Sequence, residues 1–486
     1  MSEAISHLQP TEIWKNFAAL NAVPRPSKRE ERITAFMMAF GRSLGLETLR
    51  DPIGNVLIRK PASPGYENRQ GVVLQAHLDM VHQKNEATPF DFETRGIDMF
   101  VDGDWVRARG TTLGADNGLG VAAIMAVLEA RDLDHPPLEA LFTVDEETGM
   151  SGAKALSSDW LRGRILLNLD TEEDDELDVG CAGGVDVTAH GTYSPQPLPG
   201  GWDGMWVRVS GLQGGHSGMD IHKGRANANK VLARLLYACS GEARFCIAEA
   251  SGGNLRNAIP REAEARLALD PATRQAFARV FETERTSILG EFAPVEPGIQ
   301  IALEGCERPA TGLPEADQLA LLRCLCALHS GVAYMSYEFP GQTETSNNLA
   351  QFRVGEGKVQ IGCLTRSSRE SRKADLVRTL ESVLSLAGYT HETGGAYPGW
   401  QPNAASGALA LLQERYQALF GESPRVVASH GGLECGIIGA HYPDMDMISF
   451  GPTILGAHSP DERASVSSTQ KFWTLLRDVL AHIPVA

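Results

Sequence analysis

The chain has 486 residues, of which 43% are hydrophobic and 22% are charged, and its formal net charge is −17. This length exceeds one ordinary hydrophobic core, so at least two domains are expected. The acidic balance and the lack of a lysine- or arginine-rich run argue against a nucleic-acid partner, because phosphate binding needs a basic face.

The first ten residues and the cysteines favour a cytoplasmic location. The opening segment lacks both the basic start and the apolar core of a signal peptide. No uninterrupted apolar stretch approaches the roughly 20 residues that cross a bilayer, so no membrane contact is expected. The eight cysteines are scattered without a Cys-x-x-Cys pair, which is typical of reduced, mostly buried thiols.

The first 185 residues alternate short apolar runs with amphipathic stretches, the pattern of an α/β domain built around a sheet. The sequence predicts helices at 12–21, 29–45 and Val121–Arg131, and strands at Asn55–Arg59, Val72–Ala76, Leu138–Val144 and Ile165–Leu169. Residues 109–118 are rich in turn-forming residues and precede the third helix.

The pattern changes between residues 186 and 398. Strands are predicted at Met205–Ser210, Arg244–Ala250, Glu262–Leu269, 299–303 and Lys358–Leu364, and helices at Ala226–Ala238, 271–289, 315–329 and 370–387. Split β-α-β units of this kind form sheets with helices on one face. We therefore predict an inserted α+β domain at 186–398.

The last part of the chain returns to the first pattern. It predicts a helix at Ala404–Phe420, a strand at Asp446–Phe450, a loop at Gly451–Asp461 and a helix at Ser468–His482. The simplest arrangement is one α/β domain, made of 1–185 and 399–486, with a mixed central sheet flanked by helices and interrupted by the inserted domain.

Side chains able to bind a divalent metal follow the predicted strands or precede a predicted helix. They are His77, Asp79, Asp116, Glu146, Glu147, Asp170 and His458. Ligands of open α/β sheets gather at the carboxyl ends of the strands, so residues far apart in sequence are expected to meet there. Each has a plainer interpretation alone: the segment around Asp116 could be a turn that caps the next helix. Their coincidence at strand ends favours a metal site.

The donor set suits two ions. Two imidazoles and several carboxylates provide the mixed nitrogen and oxygen ligation that Zn²⁺, Co²⁺ and Mn²⁺ accept. A carboxylate can bridge two ions about 3.5–4 Å apart. One carboxylate must stay unbound by metal so that it can act as a general base. The adjacent Glu146 and Glu147 allow one glutamate to bind metal and its neighbour to act as the base.

Several longer motifs carry a family resemblance. They are Gln75-Ala-His-Leu-Asp-Met-Val, Ala108-Arg-Gly-Thr-Thr-Leu-Gly-Ala-Asp-Asn-Gly, Glu146-Glu-Thr-Gly-Met, Gly214-Gly-His-Ser-Gly, Asp220-Ile-His-Lys-Gly, Arg256-Asn-Ala-Ile-Pro-Arg-Glu, Ala396-Tyr-Pro-Gly-Trp-Gln-Pro, Gly432-Leu-Glu-Cys-Gly and Ala457-His-Ser-Pro-Asp-Glu. Over essentially the whole chain these motifs resemble the dinuclear-zinc peptidase family of aminoacylases, carboxypeptidases and dipeptidases, and within it the aminoacyl-histidine dipeptidase branch.

The resemblance implies a metallo-dipeptidase that hydrolyses unblocked dipeptides, Xaa-His included, with water activated by two metal ions, most simply Zn²⁺, with Co²⁺ or Mn²⁺ as alternatives. It assigns His77, Asp116 and Asp170 to one ion and Asp116, Glu147 and His458 to the other, with Asp116 as the bridge. By the same resemblance Glu146 is the general base and Asp79 orients the His77 ring. It further implies a cis peptide bond between Asp116 and Asn117.

For the inserted domain the resemblance implies a lid that also forms a homodimer. His216 would reach the active site of the partner subunit and hold the oxyanion, while Asn257 and Arg366 would bind the substrate's carboxylate or carbonyl. An arginine suits a free carboxylate because its fork can bind both oxygens. The plainer interpretations are a turn for the motif around His216 and a surface charge for Arg366. His82 departs from the expected residue and is interpreted as a bystander.

Three alternatives remain open. The substrate could be a different acyl-amino acid, as in an aminoacylase or a carboxypeptidase of the same family. The chain could also be an inert homologue that binds metal, although all the expected ligands and the base are present. A serine hydrolase is disfavoured, because Gly215-His-Ser-Gly lacks the Gly-x-Ser-x-Gly order of a nucleophile elbow.

Overall fold

The computed structural model describes residues 5–486. Its α-helices are α1 (Thr11–Asn21), α2 (Glu31–Ser43), α3 (Ala115–Glu129), α4 (Glu146–Gly149), α5 (Ser151–Lys154), α6 (Ala228–Ser240), α7 (Arg274–Phe292), α8 (Glu315–Ala327), α9 (Glu370–Leu386), α10 (Gly407–Phe420), α11 (Glu434–His441) and α12 (Val466–His482). Short 3₁₀ turns lie at Ile221–Lys223 and Pro271–Thr273. Within residues 5–486, no helix is long and apolar enough to span a membrane.

The strands follow the same order along the chain. They are β1 (Glu47–Arg50), β2 (Val56–Lys60), β3 (Val72–His77), β4 (Met99–Asp102), β5 (Trp105–Ala108), β6 (Leu138–Thr143), β7 (Ile165–Asn168), β8 (Glu176–Cys181), β9 (Gly183–Thr192), β10 (Gln196–Pro197), β11 (Asp203–Ser210), β12 (Phe245–Gly252), β13 (Ala263–Leu269), β14 (Gln300–Cys306), β15 (Thr311–Gly312), β16 (Gly331–Met335), β17 (Thr343–Gly355), β18 (Lys358–Ser367), β19 (Thr390–Tyr397), β20 (Arg425–Ser429), β21 (Asp446–Ser449), β22 (Ile454–Leu455) and β23 (Arg463–Ser465).

The first compact unit combines the described part of Met1–Gly180 with Trp400–Ala428 and Leu433–Ala486. Its main sheet has eight strands in the order β1-β2-β6-β3-β7-β21-β8-β20. The neighbours β6, β3, β7 and β21 pair in parallel, whereas β1–β2, β2–β6 and β21–β8 pair antiparallel. The mixed sheet expected from the sequence is confirmed.

The parallel strands of this sheet position the residues that follow them. β3, β6 and β7 are buried along their whole length, as expected for parallel strands covered on both faces. In the register, His77 pairs with Thr143 and Gln75 pairs with Asn168. The three strands therefore end at one edge, and the segments after them leave the sheet side by side.

The start of α3 and the segment after β21 differ from the sequence expectation. The helix predicted from Val121 begins at Ala115, because the turn-like residues form its first turn, although Asp116 and Asn117 keep non-helical backbone angles. The loop predicted at Gly451–Asp461 contains the short strand β22, which belongs to a second sheet in the order β22-β23-β5-β4.

The second compact unit comprises Cys181–Gly399 and Ser429–Gly432. Its antiparallel sheet has the order β14-β11-β13-β12-β17-β18-β9-β19, and β16 pairs with β17 outside this path. Two copies of one topology make up this order. The inner copy runs β11-α6-β12-β13-α7-β14, and the outer copy runs β9-α8-β17-β18-α9-β19. Each is a ferredoxin-like β-α-β-β-α-β unit, and the inner one is inserted into the outer one.

The two copies join edge to edge through β12 and β17, which pair antiparallel. Along β11, Met205, Val207 and Val209 lie in the hydrophobic core of the unit, while Trp206 and Arg208 between them are partly exposed. This alternation places one face of the sheet in the core that the helices share. The expected sheet with helices on one face is confirmed.

Candidate metal centre

One group of ligand atoms surrounds His77, the last residue of β3. Its Nε2 lies 3.1 Å from Asp116 Oδ1 and 3.4 Å from Asp170 Oδ1. Burial lowers the pKa of the His77 ring, but Asp170, Asp116 and Asp79 together raise it well above the ordinary value. Three donors that converge in this way form a possible site for one divalent ion.

A second group shares Asp116 with the first. His458 Nε2 lies 3.0 Å from Asp116 Oδ2 and 3.0 Å from Glu147 Oε2. These hydrogen bonds raise the pKa of His458 to about 11. The two oxygens of Asp116 thus face different histidines, which is the arrangement that a bridging carboxylate requires.

The donors fit a pair of divalent cations. Ligand atoms within each group lie within 4.8 Å of one another, and the set combines imidazole nitrogen with carboxylate oxygen. Burial, followed by the neighbouring Asp116, raises the pKa of Glu147. Glu147 Oε1 is buried and has no hydrogen-bond partner among residues 5–486. Such a concentration of buried carboxylates calls for neutralisation by cations.

Asp79 connects the two parts of the site. Its buried carboxylate lies 3.4 Å from His77 Nδ1. It also accepts hydrogen bonds from the backbone N–H of Glu146 at 3.0 Å and of Glu147 at 3.3 Å, and from Ser27 Oγ at 2.8 Å. Burial alone would raise the pKa of Asp79, but the hydrogen bonds and His77 lower it. One ionised carboxylate therefore anchors the backbone of the glutamate pair and lies within ion-pair distance of the histidine ring.

Glu146 is the first residue of α4 and follows Asp145, whose φ of 58° lies in the left-handed region. This turn directs the chain away from β6 immediately before the glutamate pair. Burial raises the pKa of Glu146 well above its ordinary value, and the nearby charges of Asp170 and Glu147 add to the effect. Glu146 also lies close enough to His77 and Glu147 to form a third possible ligand group.

The loop that carries Asp116 is held from two sides. The peptide bond between Asp116 and Asn117 is cis, as the family resemblance implies. Glu462 accepts hydrogen bonds from the backbone N–H groups of residues 113–116, at 2.7, 3.0, 2.7 and 3.4 Å. The buried guanidinium of Arg25 donates to the carbonyls of Gly114 and Leu78. Both side chains position Asp116 through the backbone.

Sequence reasoning gave no role to Arg25, Glu434 or Glu462. Burial raises the pKa of Glu434 and of Glu462 to about 7 in each case. Glu434 and Glu462 do belong to motifs that carry the resemblance, so the motifs were the available signal. Arg25 lies outside these motifs, and no feature of the sequence indicated its role. His82, interpreted as a bystander, is exposed, lies outside the ligand groups and contacts the Phe92 ring edge-on.

Three further predicted site residues lie in the second unit. Arg366 is 4% exposed and donates from Nη1 to Tyr397 Oη at 2.9 Å and from Nε to Ser217 Oγ at 3.3 Å. Within residues 5–486 no carboxylate lies within ion-pair distance of its guanidinium. The structure thus holds a nearly buried positive charge whose hydrogen-bond partners are two neutral hydroxyl groups.

His216 and Asn257 lie on neighbouring segments of the same unit. The backbone N–H of Ser217 donates to the Asn257 carbonyl at 2.7 Å. His216 Nδ1 accepts from the backbone N–H groups of Gly218 and Met219, each at 3.2 Å. The neutral ring must then carry its proton on Nε2, which makes that atom a hydrogen-bond donor.

The model of peptidase family M20/M25/M40 matches residues 73–482, and the chain belongs to this family. It is 43% identical over 484 residues to the cytosol non-specific dipeptidase of Escherichia coli (strain K12), covering 100% of both chains. It matches the crystal structure of aminoacylhistidine dipeptidase from Vibrio alginolyticus with a TM-score of 0.93 and 43% identity, over 100% of both chains. Aminopeptidase PepT from Bacillus cereus shares the fold at a TM-score of 0.57 and 16% identity, over 98% of this chain and 99% of that chain.

Proposed function

We propose that the protein is a metal-dependent dipeptidase that hydrolyses the peptide bond of unblocked dipeptides, Xaa-His included. The observation that carries the proposal is the pair of ligand groups sharing Asp116 beside the partly buried Glu146. The two full-length relatives, a non-specific dipeptidase and an aminoacylhistidine dipeptidase, support the substrate class.

The chain's own residues would hold two divalent ions, for which Zn²⁺ is our first expectation. His77, Asp116 and Asp170 would bind one ion, and Asp116, Glu147 and His458 the other. When bound, such ions polarise a carbonyl and lower the pKa of water toward about 7. Asp79 keeps the His77 ring in one orientation, as the usual support of a metal-bound imidazole does.

Glu146 would move the proton. A carboxylate at this position takes a proton from the attacking water and returns it to the leaving amine. Its raised pKa makes the carboxylate a stronger base, which is the direction that this role requires. Asp79 holds the Glu146 backbone and so limits where the carboxylate can reach.

Arg366, Asn257 and His216 would bind the substrate. A buried guanidinium without a carboxylate partner is costly, and a substrate carboxylate would supply the missing charge. Asn257 would assist in holding this carboxylate or the carbonyl. His216 would donate from Nε2 to the oxyanion that forms when the carbonyl is attacked.

A panel of substrates tests the function. We expect turnover of Xaa-His and Gly-Gly dipeptides, with metal content of about two ions per chain measured on the same sample. N-acetylated dipeptides and dipeptide amides are the matched controls and should react poorly. Preferred turnover of acetylated amino acids would favour the aminoacylase alternative. Absent turnover and absent metal, with no rescue by Zn²⁺ or Co²⁺, would leave an inert homologue.

We further propose that the protein is a cytoplasmic homodimer in which residues 186–398 form the lid, with 1–185 and 399–486 as the catalytic domain, and His216 serves the partner subunit. Co-expression of a Glu146→Gln chain with a His216→Ala chain tests this arrangement. A mixed dimer would contain one site with both residues intact and would recover activity. Mixed dimers without recovered activity would show that His216 acts within its own chain.

A further inference from the structure

Glu434 belongs to a motif, Gly432-Leu-Glu-Cys-Gly, to which the proposed reaction gives no role. It begins α11, directly after Leu433 in extended backbone, and its side chain is completely buried in the first unit. Within residues 5–486 its Oε1 has no hydrogen-bond partner, whereas Oε2 accepts hydrogen bonds from side chains of the same unit. Its partners therefore indicate its role.

The partners of Glu434 lie on the three central parallel strands. Oε2 accepts hydrogen bonds from Gln75 Nε2 at 2.7 Å and from Thr143 Oγ1 at 2.6 Å. The Gln75 amide also donates to Thr143 Oγ1 at 3.1 Å and accepts from Asn168 Nδ2 at 2.5 Å. This network joins α11 to the ends of β3, β6 and β7.

Each strand in the network continues directly into the candidate metal centre. Gln75 lies two residues before His77, so both side chains point to the same face of β3. Asn168 lies two residues before Asp170. Thr143 ends β6, three residues before the glutamate pair begins. A displacement of one strand end relative to the others would change the spacing between ligands from different strands.

We infer that Glu434 is a positioning residue for the metal centre, whose buried carboxyl holds the ends of β3, β6 and β7 at the spacing that the ligands require. The inference rests on the metal centre proposed above. Oε2 alone accepts both hydrogen bonds, so the oxygen of a glutamine amide can replace it. The methyl side chain of alanine cannot accept a hydrogen bond, so Glu434→Ala would leave Gln75 and Thr143 with unpaired donors in the protein interior.

Titration of the metal-free protein with Co²⁺, followed by the visible absorption of the bound ion, tests the inference. We expect Glu434→Ala to bind Co²⁺ about 10–100-fold more weakly than the unsubstituted protein. Glu434→Gln should bind nearly as tightly as the unsubstituted protein, because it keeps the acceptor oxygen.

Glu139→Ala is the matched control. Glu139 is also buried on β6, at the end remote from the ligands, and accepts from Arg59 Nε at 2.9 Å and from the backbone N–H groups of Arg162 and Gly163. Its loss should lower the thermal midpoint comparably and leave Co²⁺ affinity unchanged. Equal weakening in both alanine variants, or unchanged affinity in Glu434→Ala, would overturn the inference.

If Glu434→Ala does not fold, Thr143→Val provides the test, because it removes one hydrogen-bond donor of the network and nearly conserves the side-chain volume. Weaker Co²⁺ binding in this variant supports the positioning role, and unchanged binding refutes it. An unsubstituted protein that binds neither Co²⁺ nor Zn²⁺ would instead contradict the metal centre, and with it the proposed function.

Discussion

Glu146 and Glu147 are chain neighbours with different surroundings. Glu147 Oε2 lies 3.0 Å from His458 Nε2, within the group that shares Asp116. Glu146 lies among buried carboxylates, and its pKa is raised well above the ordinary value by burial first and by its charged neighbours second. The backbone N–H groups of both residues donate to Asp79, so the same anchor fixes two side chains with different proposed tasks.

We predict that Glu146→Gln lowers kcat by about 10²–10⁴-fold while the protein keeps its metal, because the amide cannot accept the proton. Glu147→Gln is the adjacent control and should lose metal instead, since it replaces a proposed ligand. Steady-state kinetics and metal analysis on the same samples separate the two effects. Metal loss in the Glu146 variant combined with retention in the Glu147 variant would exchange their roles.

His430 is a buried histidine of the second unit, and its Nε2 lies 2.7 Å from Ser346 Oγ. Burial lowers the pKa of His430 to about 3, and the positive charge of Arg366 adds to the effect. The folded protein thus keeps this ring neutral, whereas the unfolded chain takes up a proton below about pH 6.5. The contribution of the neutral His430 ring to the free energy of unfolding is therefore fully present above pH 6.5, and it is lost as the pH falls toward 3.

We therefore predict that acid sensitivity depends on His430. Between pH 6.5 and 4.5 the free energy of unfolding should fall less steeply in His430→Asn than in the unsubstituted protein, because the variant lacks the group that protonates on unfolding. Urea unfolding at a series of pH values measures the slope. His190→Asn, at an exposed position of the same unit, is the control. Equal slopes in the His430 variant and the unsubstituted protein would contradict the prediction.

At the scale of elements, the turn that leads into the first residues of α3 depends on a side chain from the far end of the chain. Glu462 accepts hydrogen bonds from four successive backbone N–H groups that end at Asp116. Gly114 in this loop has a φ of 69°, a left-handed conformation that favours glycine. The loop conformation therefore depends on Glu462 and on a residue without a side chain.

We predict that Glu462→Ala raises the metal concentration needed for half-maximal activity by about 10–100-fold, because the loop no longer fixes the bridging aspartate. Metal-dependent activity curves measure the change. Asp104→Ala is the control, since Asp104 also accepts backbone and hydroxyl hydrogen bonds, from Ser465 and Ser467 at the start of α12. An identical metal requirement in Glu462→Ala and the unsubstituted protein would exclude this positioning effect.

Elements with a strong apolar pattern could be predicted from the sequence. β3 is predicted to within one residue because Val72, Val73 and Leu74 form an apolar run, and the structure buries the whole strand. β17 was not predicted, because its buried positions include Thr345, Ser346 and Asn347, polar residues that hydrogen-bond to partners elsewhere in the unit. The polar pattern of a strand becomes interpretable only when its neighbours are known.

The residues of the candidate site also fall into those that could be predicted from the sequence and those that could not. Residues directly after strands, such as His77 and Asp170, could be inferred because strand ends meet at one sheet edge. Glu434 and Glu462 could not be assigned roles, since their hydrogen-bond partners lie between 291 and 359 positions away in the sequence. Long-range pairing of this kind leaves no periodicity in the chain.

At the scale of the whole molecule, bound metal should contribute to stability. The ligand groups bring buried carboxylates together, and cations that bind only the folded state stabilise it by mass action, by about 4 kcal/mol at 1,000 times the dissociation constant. We predict that a chelator abolishes activity and lowers the thermal midpoint by several degrees, and that Zn²⁺ or Co²⁺ restores both. In His458→Ala, which lacks one proposed ligand, the chelator should lower the thermal midpoint by less than it does in the unsubstituted protein. Full activity in verified metal-free protein would contradict the prediction.

The nesting of one ferredoxin-like unit inside another sets an order for biosynthesis. The inner unit is contiguous, from Asp203 to Cys306, and all its strands leave the ribosome before the second strand of the outer unit begins at Thr343. The outer unit's first strand starts at Gly183 and must wait for its last, which ends at Tyr397, on the order of 10–40 s at ordinary translation rates. Until β18 is made, β9 has neither sheet neighbour, so a nascent chain halted before Lys358 would expose an unpaired strand to chaperones and proteases.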